Sequence, residues 1–480
     1  MLESRGEIWP YLIFLPAEPK NLKIFLTEVL GSPISLDILE KINEGTVCQK
    51  DIIRKLSYSN KTILAHLKTL VDSRVIQEYF QVEGGRRVIC YKPTDMGRWI
   101  LLMFQRKFST NDLGEMLEEL FSVYLNNALE LCLSSGIDFT RLATIFSRSM
   151  SEGLIKLSES SRLETPNVLV FGSVALDTFS TLEEKEGEAG SSRLLYELYE
   201  FPGGSGGNVA VALSRLGINT NFIGKLGGDA AAWQLLSDFI KEGVNVSGVV
   251  IDKEKRTSRS FIIAGETGKR RTYIYATRDT ALSISNPDEI KWNLLKDAEV
   301  FYIGETFLEI SELIAGYGKN LGKTVVYRPT IHYLIQGLEK LEGILRNTNI
   351  FIINETGWQI LKDKGVKNKM EVLEKGPDIF IITRGTKGCD TYTKDFSFHV
   401  DAYSVKTADE TGAGDAFAAG LIAALLQEKG FEELKDCVLF ASACAALATR
   451  KTGARSSLPS FDEVLELLKK EPKDAQKIEL

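Results

Sequence analysis

The sequence predicts an α/β protein. Its main part is a mostly parallel sheet covered by helices on both faces, with a small β lid. A small helical module with a β-hairpin and a helical linker come before it. Three observations carry this. From residue 164 to residue 480, short apolar runs bounded by glycine, proline or polar residues alternate with segments of helical period. One stretch breaks that rhythm: RSFIIAGETGKRRTYIYAT alternates around Gly265 and Gly268, and LLYELYEFPGG also reads as extended. Residues 20–106 hold two short helical patterns, a polar turn, a third helix and a hairpin pattern.

At 480 residues the chain exceeds one domain of ~100–200 residues. An apolar fraction of 44% allows substantial cores. No uninterrupted apolar run reaches the ~18–20 residues of a membrane span. The first twenty residues, MLESRGEIWPYLIFLPAEPK, lack the basic start and small-residue cleavage site of a signal peptide. The expectation is a cytoplasmic protein without membrane contact. Six scattered cysteines form no Cys-x-x-Cys pair, and three histidines lie far apart, which argues against a disulfide framework and a zinc site.

The module at 20–106 begins with a helix ending in ILEKINEG, then a short helix in CQKDIIRKL, a turn at SYS and a helix in NKTILAHLKTLVDS. Ile63, Leu64, Leu67, Leu70 and Val71 fall on one face of that third helix, with Ser59 or Asn60 as its N-cap. VIQEYFQV and RRVICYKP flank Glu83-Gly84-Gly85 as a hairpin. Between Lys50 and Lys92 there are nine Lys/Arg and four Asp/Glu, a basic excess in a chain of net charge -7. The layout is that of a winged helix-turn-helix and resembles the ArsR-like group of regulators. The resemblance implies double-stranded DNA as partner, with Asn60, Lys61 and Lys68 entering the major groove and Arg86 and Arg87 reaching phosphate or the minor groove. A winged helix used only for protein contacts is the alternative reading.

Residues 107–163 read as helical, in NDLGEMLEELFSVYLNNALELCLSS and IDFTRLATIFSRSMSEGLIKLSE. These helices are expected to join two copies into a homodimer or to pack within the chain, and SESSRLETPN reads as a linker. In the domain at 164–480, NVLVFGSV, TNFIGKLG, EVFYIGE, TVVYRP, IFIIN and DIFIIT are the expected strands; NVAVALSRLG and DAAAWQLLSDFIKEG are helical.

The segment Asp409-Glu-Thr-Gly-Ala-Gly-Asp-Ala-Phe-Ala-Ala-Gly420 places glycines and a carboxylate where an apolar helix begins. Such a turn presents backbone N–H groups and the positive end of the helix dipole to an anion. No Walker A loop occurs, and Phe417 stands where a Rossmann fingerprint needs its third glycine. A carboxylate beside an anion cradle suits a general base for an incoming hydroxyl; the bland alternative is that Asp415 only complements the helix dipole.

The segment closely matches the second signature of the PfkB/ribokinase family of carbohydrate kinases. Phe201-Pro-Gly-Gly-Ser-Gly-Gly-Asn-Val-Ala-Val-Ala-Leu-Ser-Arg-Leu-Gly217 resembles the first signature, Ile382–Gly388 the nucleotide-site turn and Thr452–Pro459 the closing loop. The resemblance implies a ribokinase-like fold and Mg-ATP-dependent phosphorylation of a sugar-like alcohol. By position, it makes Asp415 the base, and Gly412, Ala413 and Gly414 the anion hole. Asp177, Gly204, Ser205 and Asn208 become substrate contacts. Asn354, Thr383, Gly385 and Gly388 become part of the ATP pocket. Asp409, Gly453 and Ser457 would border a monovalent-cation (K⁺) site. The chain departs from the pattern twice: Asn-x-x-Glu reads Asn354-Glu-Thr-Gly357, and Asp-Pro after a central strand reads Arg328-Pro329. The leading expectation is a sugar kinase carrying its own DNA-binding domain. The alternatives are a regulator that uses a weak kinase-like half as a sensor, a kinase whose helix-turn-helix serves assembly, and a nucleoside kinase.

Overall fold

The structure is a computed structural model. It describes residues 19–45, 47–83, 86–103, 138–160, 166–182, 195–265, 270–275, 279–427 and 433–478, with scattered positions between 114 and 136. The chain divides into two compact units, Met1–Leu142 and Ala143–Leu480.

In the first unit, helical turns over Pro19–Ile24 and Phe25–Leu30 lead into α1 (Pro33–Asn43), α2 (Gln49–Lys55) and α3 (Asn60–Asp72), then β1 (Ile76–Glu83), β2 (Arg86–Pro93) and α4 (Asp95–Met103). The order is that expected from the sequence. Ser59, not Asn60, caps α3: its hydroxyl accepts the Thr62 N–H at 3.1 Å. The buried stripe of α3 is narrower than expected. Ile63, Leu67 and Leu70 are in the core, but Leu64 is 41% exposed because it falls one step round the helix from that stripe. β1 and β2 pair antiparallel from Ile76↔Pro93 to Glu83↔Arg86, a register closed by a two-residue connection. The turn glycines Gly84 and Gly85 lie outside the described residues, as do the tip of the hairpin at 266–269 and much of 104–137.

α5 (Phe139–Ser160), which lies in the second unit from Ala143 onward, continues into residues expected to be a linker. Ser158 is buried, donating to Asn245 Oδ1 and accepting the Val246 N–H, both at 3.0 Å, so the helix runs on to make these bonds. Residues 161–165 of that expected linker lie outside the described residues.

The sheet follows from the apolar runs. β3 (Val168–Phe171), β4 (Ala175–Leu182), β5 (Leu195–Gly203) and α6 (Ser205–Arg215) precede β6 (Thr220–Ile223) and α7 (Ala230–Lys241). β7 (Arg259–Gly265) and β8 (Arg270–Tyr275) form the second hairpin. Then come β9 (Val300–Ile303), α8 (Leu308–Asn320), β10 (Thr324–Tyr327), β11 (Ile350–Asn354), α9 (Glu355–Asp363), β12 (Ile379–Thr383), β13 (Cys389–Tyr392) and β14 (Ser397–Val400). α10 (Ala413–Leu426), α11 (Leu434–Ala448), α12 (Phe461–Lys470) and β15 (Gln476–Lys477) complete the unit.

Nine strands make the main sheet in the order β15-β14-β13-β12-β11-β10-β9-β3-β6. The six from β12 to β6 are mutually parallel. Each of their Val/Ile/Phe-rich runs is buried on both faces, as a parallel sheet between two helical layers requires. Val168 and Val170 join one core with α6, α7, α10 and α11, while Leu169 and Phe171 join the other with α8 and α9. The strands expected to form a lid make a separate four-stranded sheet, β8-β7-β4-β5. It recruits β4, an element the sequence reading had not assigned to it.

Candidate active site

The parallel strands point their carboxyl ends the same way, and that edge is where an α/β sheet receives ligands. There the chain delivers Gly172-Ser173 after β3, Gly304-Glu305 after β9, Arg328 after β10, Asn354 at the end of β11 and Thr383 at the end of β12.

The first turn of α10 closes over this edge. Gly412 takes φ +83°, and a Cβ there would lie 2.7 Å from the Ala454 carbonyl oxygen, so the tight entry needs glycine. The Ala413 N–H turns back to the Glu410 carbonyl at 3.2 Å and the Asp415 N–H to Gly412 at 3.0 Å. Of the expected anion-hole residues, Gly412 and Gly414 have N–H groups without a backbone acceptor among the described residues.

Asp415 sits in that turn, 6% exposed. Its Oδ1 accepts Ser205 Oγ–H at 2.7 Å and Arg328 Nη1–H at 2.7 Å, while Oδ2 accepts Asn208 Nδ2–H at 2.8 Å. Arg328 also donates to Ser205 Oγ at 3.0 Å. Burial works against the Arg328 charge, but Asp415, Tyr302 and Glu305 together outweigh it and hold the guanidinium pKa above its usual value. Behind Asn208 stands Arg455, which donates to Asn208 Oδ1 at 3.0 Å, to Asp238 Oδ2 at 2.6 Å and to the Gly203 carbonyl at 3.1 Å. Burial depresses the Arg455 pKa, with Asp238 opposing.

The lid contributes Asp177 from β4. Its register partner on β7 is Ser260, whose hydroxyl donates to Asp177 Oδ1 at 2.6 Å. Burial raises the Asp177 pKa; Ser260 and Arg455 pull against it, and nearby Asp415 adds to it. A Cβ on Gly203 would fall 1.9 Å from Asp177 Oδ2, so the PGG segment lets the carboxylate lie on the backbone. Gly204 caps α6 with φ +82°. Glu305 accepts a short hydrogen bond from Ser173, and burial, aided by Asp415, raises its pKa against Ser173 and Arg328.

Beside α10 opens a cavity of about 300 Å³ lined by Arg328, Asn354, Thr383, Gly385, Gly388 and Gly414, among others. Gly388 takes φ +86°, and a Cβ there would meet the Val400 carbonyl oxygen at 1.9 Å. Asn354 caps α9 by accepting the Gly357 N–H at 2.8 Å, which leaves its amide to face the cavity. Glu355 is exposed, 4.0 Å from Arg384 and outside the cavity lining, so it does not stand in for the glutamate missing at Gly357.

The structure therefore gathers the expected base, anion-hole and substrate residues in one place and the expected nucleotide residues around the adjoining cavity. The expected cation residues are only partly gathered. Asp409 accepts the Thr411 and Gly453 N–H groups, each at 2.9 Å, but Ser457 faces away, donating to the Ala448 carbonyl at 2.6 Å. Among the described residues no group of three His, Cys, Asp or Glu side chains is placed to hold a metal. Asn60, Lys61, Lys68 and Arg87 are exposed on the first unit, while the Arg86 side chain lies outside the described residues.

Sequence reasoning missed four contributors. Arg455 lies inside the closing-loop motif, whose resemblance gives it no role. Arg328 stood out only as a departure. Glu305 and Ser260 carried no motif, and only their positions at a strand end and across the lid register single them out.

Comparison with known proteins completes the picture. The family model described as pfkB family carbohydrate kinase matches residues 165–460. A fructokinase of Solanum tuberosum is 30% identical over 279 residues, covering 56% of this chain and 86% of its own. The nucleoside kinase of Methanocaldococcus jannaschii, an archaeal ribokinase-family member, superposes with a TM-score of 0.55 at 24% identity, over 63% of this chain and 98% of its own. An Escherichia coli protein assigned as a ribokinase II, in complex with ATP and Mg²⁺, gives 0.55 at 21% identity, over 64% of this chain and all of its own. At these identities the two structures share the fold.

Proposed function

The chain belongs to the pfkB family of carbohydrate kinases, and on that premise we propose that it transfers the terminal phosphoryl group of ATP to a sugar hydroxyl, with Asp415 as general base. The observation that supports this most is the seat of Asp415. Its carboxylate lies between the Ser205–Asn208 face and the cavity, beside the Gly412 and Gly414 amides. A hydroxyl held by Asp177 and Asn208 would meet a proton acceptor on one side and phosphate on the other. The amides and the helix dipole would receive charge developing on the phosphate oxygens. Fructokinase relatives favour a ketose or ketose-like acceptor over a nucleoside, the reading suggested by the archaeal neighbour.

Mg²⁺ keeps several waters and leans on substrate phosphates with one or two carboxylates, and the residues present fit that mode. Glu410 lines the cavity and would supply one such carboxylate. When bound, the ion supplies charge neutralisation across the phosphates. A K⁺ site would rest on Asp409 and the Gly453 loop.

The test is an ADP-release assay across hexoses, ribose and nucleosides. Turnover of a sugar that Asp415→Asn abolishes is the expected result. No turnover with any acceptor, or turnover intact in the variant, overturns it.

A second activity rests on the exposed basic face of α3. Lys61, Lys68 and Asn60 project into solvent while Ile63, Leu67 and Leu70 hold the helix to its core. In our reading this face binds double-stranded DNA as a winged helix, as a homodimer on two-fold sites. The chain is then a sugar kinase and a regulator in one.

A further inference from the structure

We propose that Arg328 is a catalytic residue of the transfer: its guanidinium grips the terminal phosphate of ATP and carries the positive charge that stabilises the moving phosphoryl group. The inference rests on the kinase reading above.

Position is the first argument. Arg328 directly follows β10, at the seam between the acceptor residues and the nucleotide cavity. Nη1 reaches Asp415 and Ser205, at 2.7 and 3.0 Å. Nη2 lies over the first turn of α10, where a Cβ built on Gly414 would come within 2.4 Å of it. The guanidinium thus covers the spot where the amides of that turn await an anion. Its side chain is 25% exposed, so it is open to a ligand, whereas the Asp415 side chain beneath it is only 9% exposed.

Charge is the second argument. Among the described residues lining the cavity, Arg328 is the one positively charged side chain, and Glu410 is the one acid. Arg455, the other cation near the acceptor, is 7% exposed and already committed to Asp238, Asn208 and the Gly203 carbonyl. A nucleoside triphosphate entering the cavity has Arg328 as its cationic partner. Guanidinium is the side chain best shaped to hold two phosphate oxygens at once.

The resting contact with Asp415 gives the order of events. When phosphate arrives, Arg328 swings from Asp415 Oδ1 to the phosphate oxygens and uncovers the base. The acceptor O–H then gives its proton to the Asp415 carboxylate. Its oxygen bonds to the γ-phosphorus as the bond to the β,γ-bridging oxygen breaks, and that electron pair leaves with ADP. No atom changes oxidation state.

The test uses the full chain and two independent readouts. Titration calorimetry compares a non-hydrolysable ATP analogue with ADP, on wild type, Arg328→Ala and Arg328→Lys. Arg328→Ala should weaken the triphosphate about 10-fold and leave ADP within about twofold, since the lost contact is to the phosphate ADP lacks. In the ADP-release assay kcat should fall about 100-fold with the sugar KM little changed. Added guanidinium should restore part of the loss, and Arg328→Lys should lie between. If Arg328→Ala loses both nucleotides equally, or changes only the sugar KM, or leaves kcat intact, the proposal fails. Should wild type turn over none of the acceptors, the ATP-to-ADP discrimination alone decides it. A selective loss then upholds the arginine while the kinase reading falls.

Discussion

Around Asp415, each polar side chain is held by another. Ser205, Asn208 and Arg328 converge on one carboxylate, Arg455 holds Asn208, and Asp238 holds Arg455. On α3 of the first unit, Asn60, Lys61 and Lys68 stand in solvent. Both regions are rich in charge, and the contrast teaches what charge means in each setting. An enclosed, interlocked set has one working geometry, so any member's loss is felt by the rest. An exposed basic face offers a screened field to which each residue adds separately.

The contrast can be broken at several points. Asp415→Asn is expected to cut kcat by about 1000-fold with sugar affinity retained, measured in the ADP-release assay. A milder loss would demote Asp415 to a helix-dipole partner. Gly414→Ala places a methyl against Arg328 Nη2 and should cost about 100-fold in kcat without replacing any side chain of the constellation. Unchanged activity would mean that the guanidinium has room to spare. On the other region, Lys61→Glu with Lys68→Glu should weaken DNA binding at low salt about 10-fold and flatten its salt dependence, read by gel shift across an ionic-strength series. Equal affinity at every salt would leave α3 as a solvated or protein-binding face.

The smallest effect concerns Glu305, whose pKa is raised in the fold above the ordinary value of 4.5. A carboxyl raised in this way contributes stability that is full below its unfolded value and lost as pH climbs through its folded one. Glu305→Gln should therefore gain on wild type in melting temperature, by about 2 °C, as pH rises above that ordinary value. A constant difference at all pH values would show that Glu305 is not held protonated beyond its usual range.

The fold of the second unit was legible because parallel strands buried on both faces must be continuous apolar runs, and IFIIN and DIFIIT are such runs. The turn into α10 was legible because glycine leaves a mark wherever backbone meets backbone closely. What stayed hidden were partnerships between residues far apart in sequence. Nothing local announces that Arg455 will lie under Asn208, 247 positions earlier, or that Arg328 will reach Asp415 across 87. The strand β4 escaped assignment to the lid for the same reason: its pairing with β7 joins Asp177 to Ser260 across 83 positions. Leu64 shows the opposite error, in which periodicity drew the apolar stripe wider than the packing.

The docked part of α5 sets a physical boundary that homology does not. The family match begins at residue 165, yet Ile155 is buried in one of the two main cores, and Ser158 satisfies both Asn245 and the Val246 amide. Lys291 further ties Glu159 to the same surface at 2.7 Å. At the other end, β15 lies beyond residue 460 and pairs with β14. A protein trimmed to its recognisable portion would thus shed two helices, α5 and α12, and an edge strand, laying bare apolar surface and an orphaned amide. Whoever isolates the catalytic half should cut upstream of Ala143 and spare the tail.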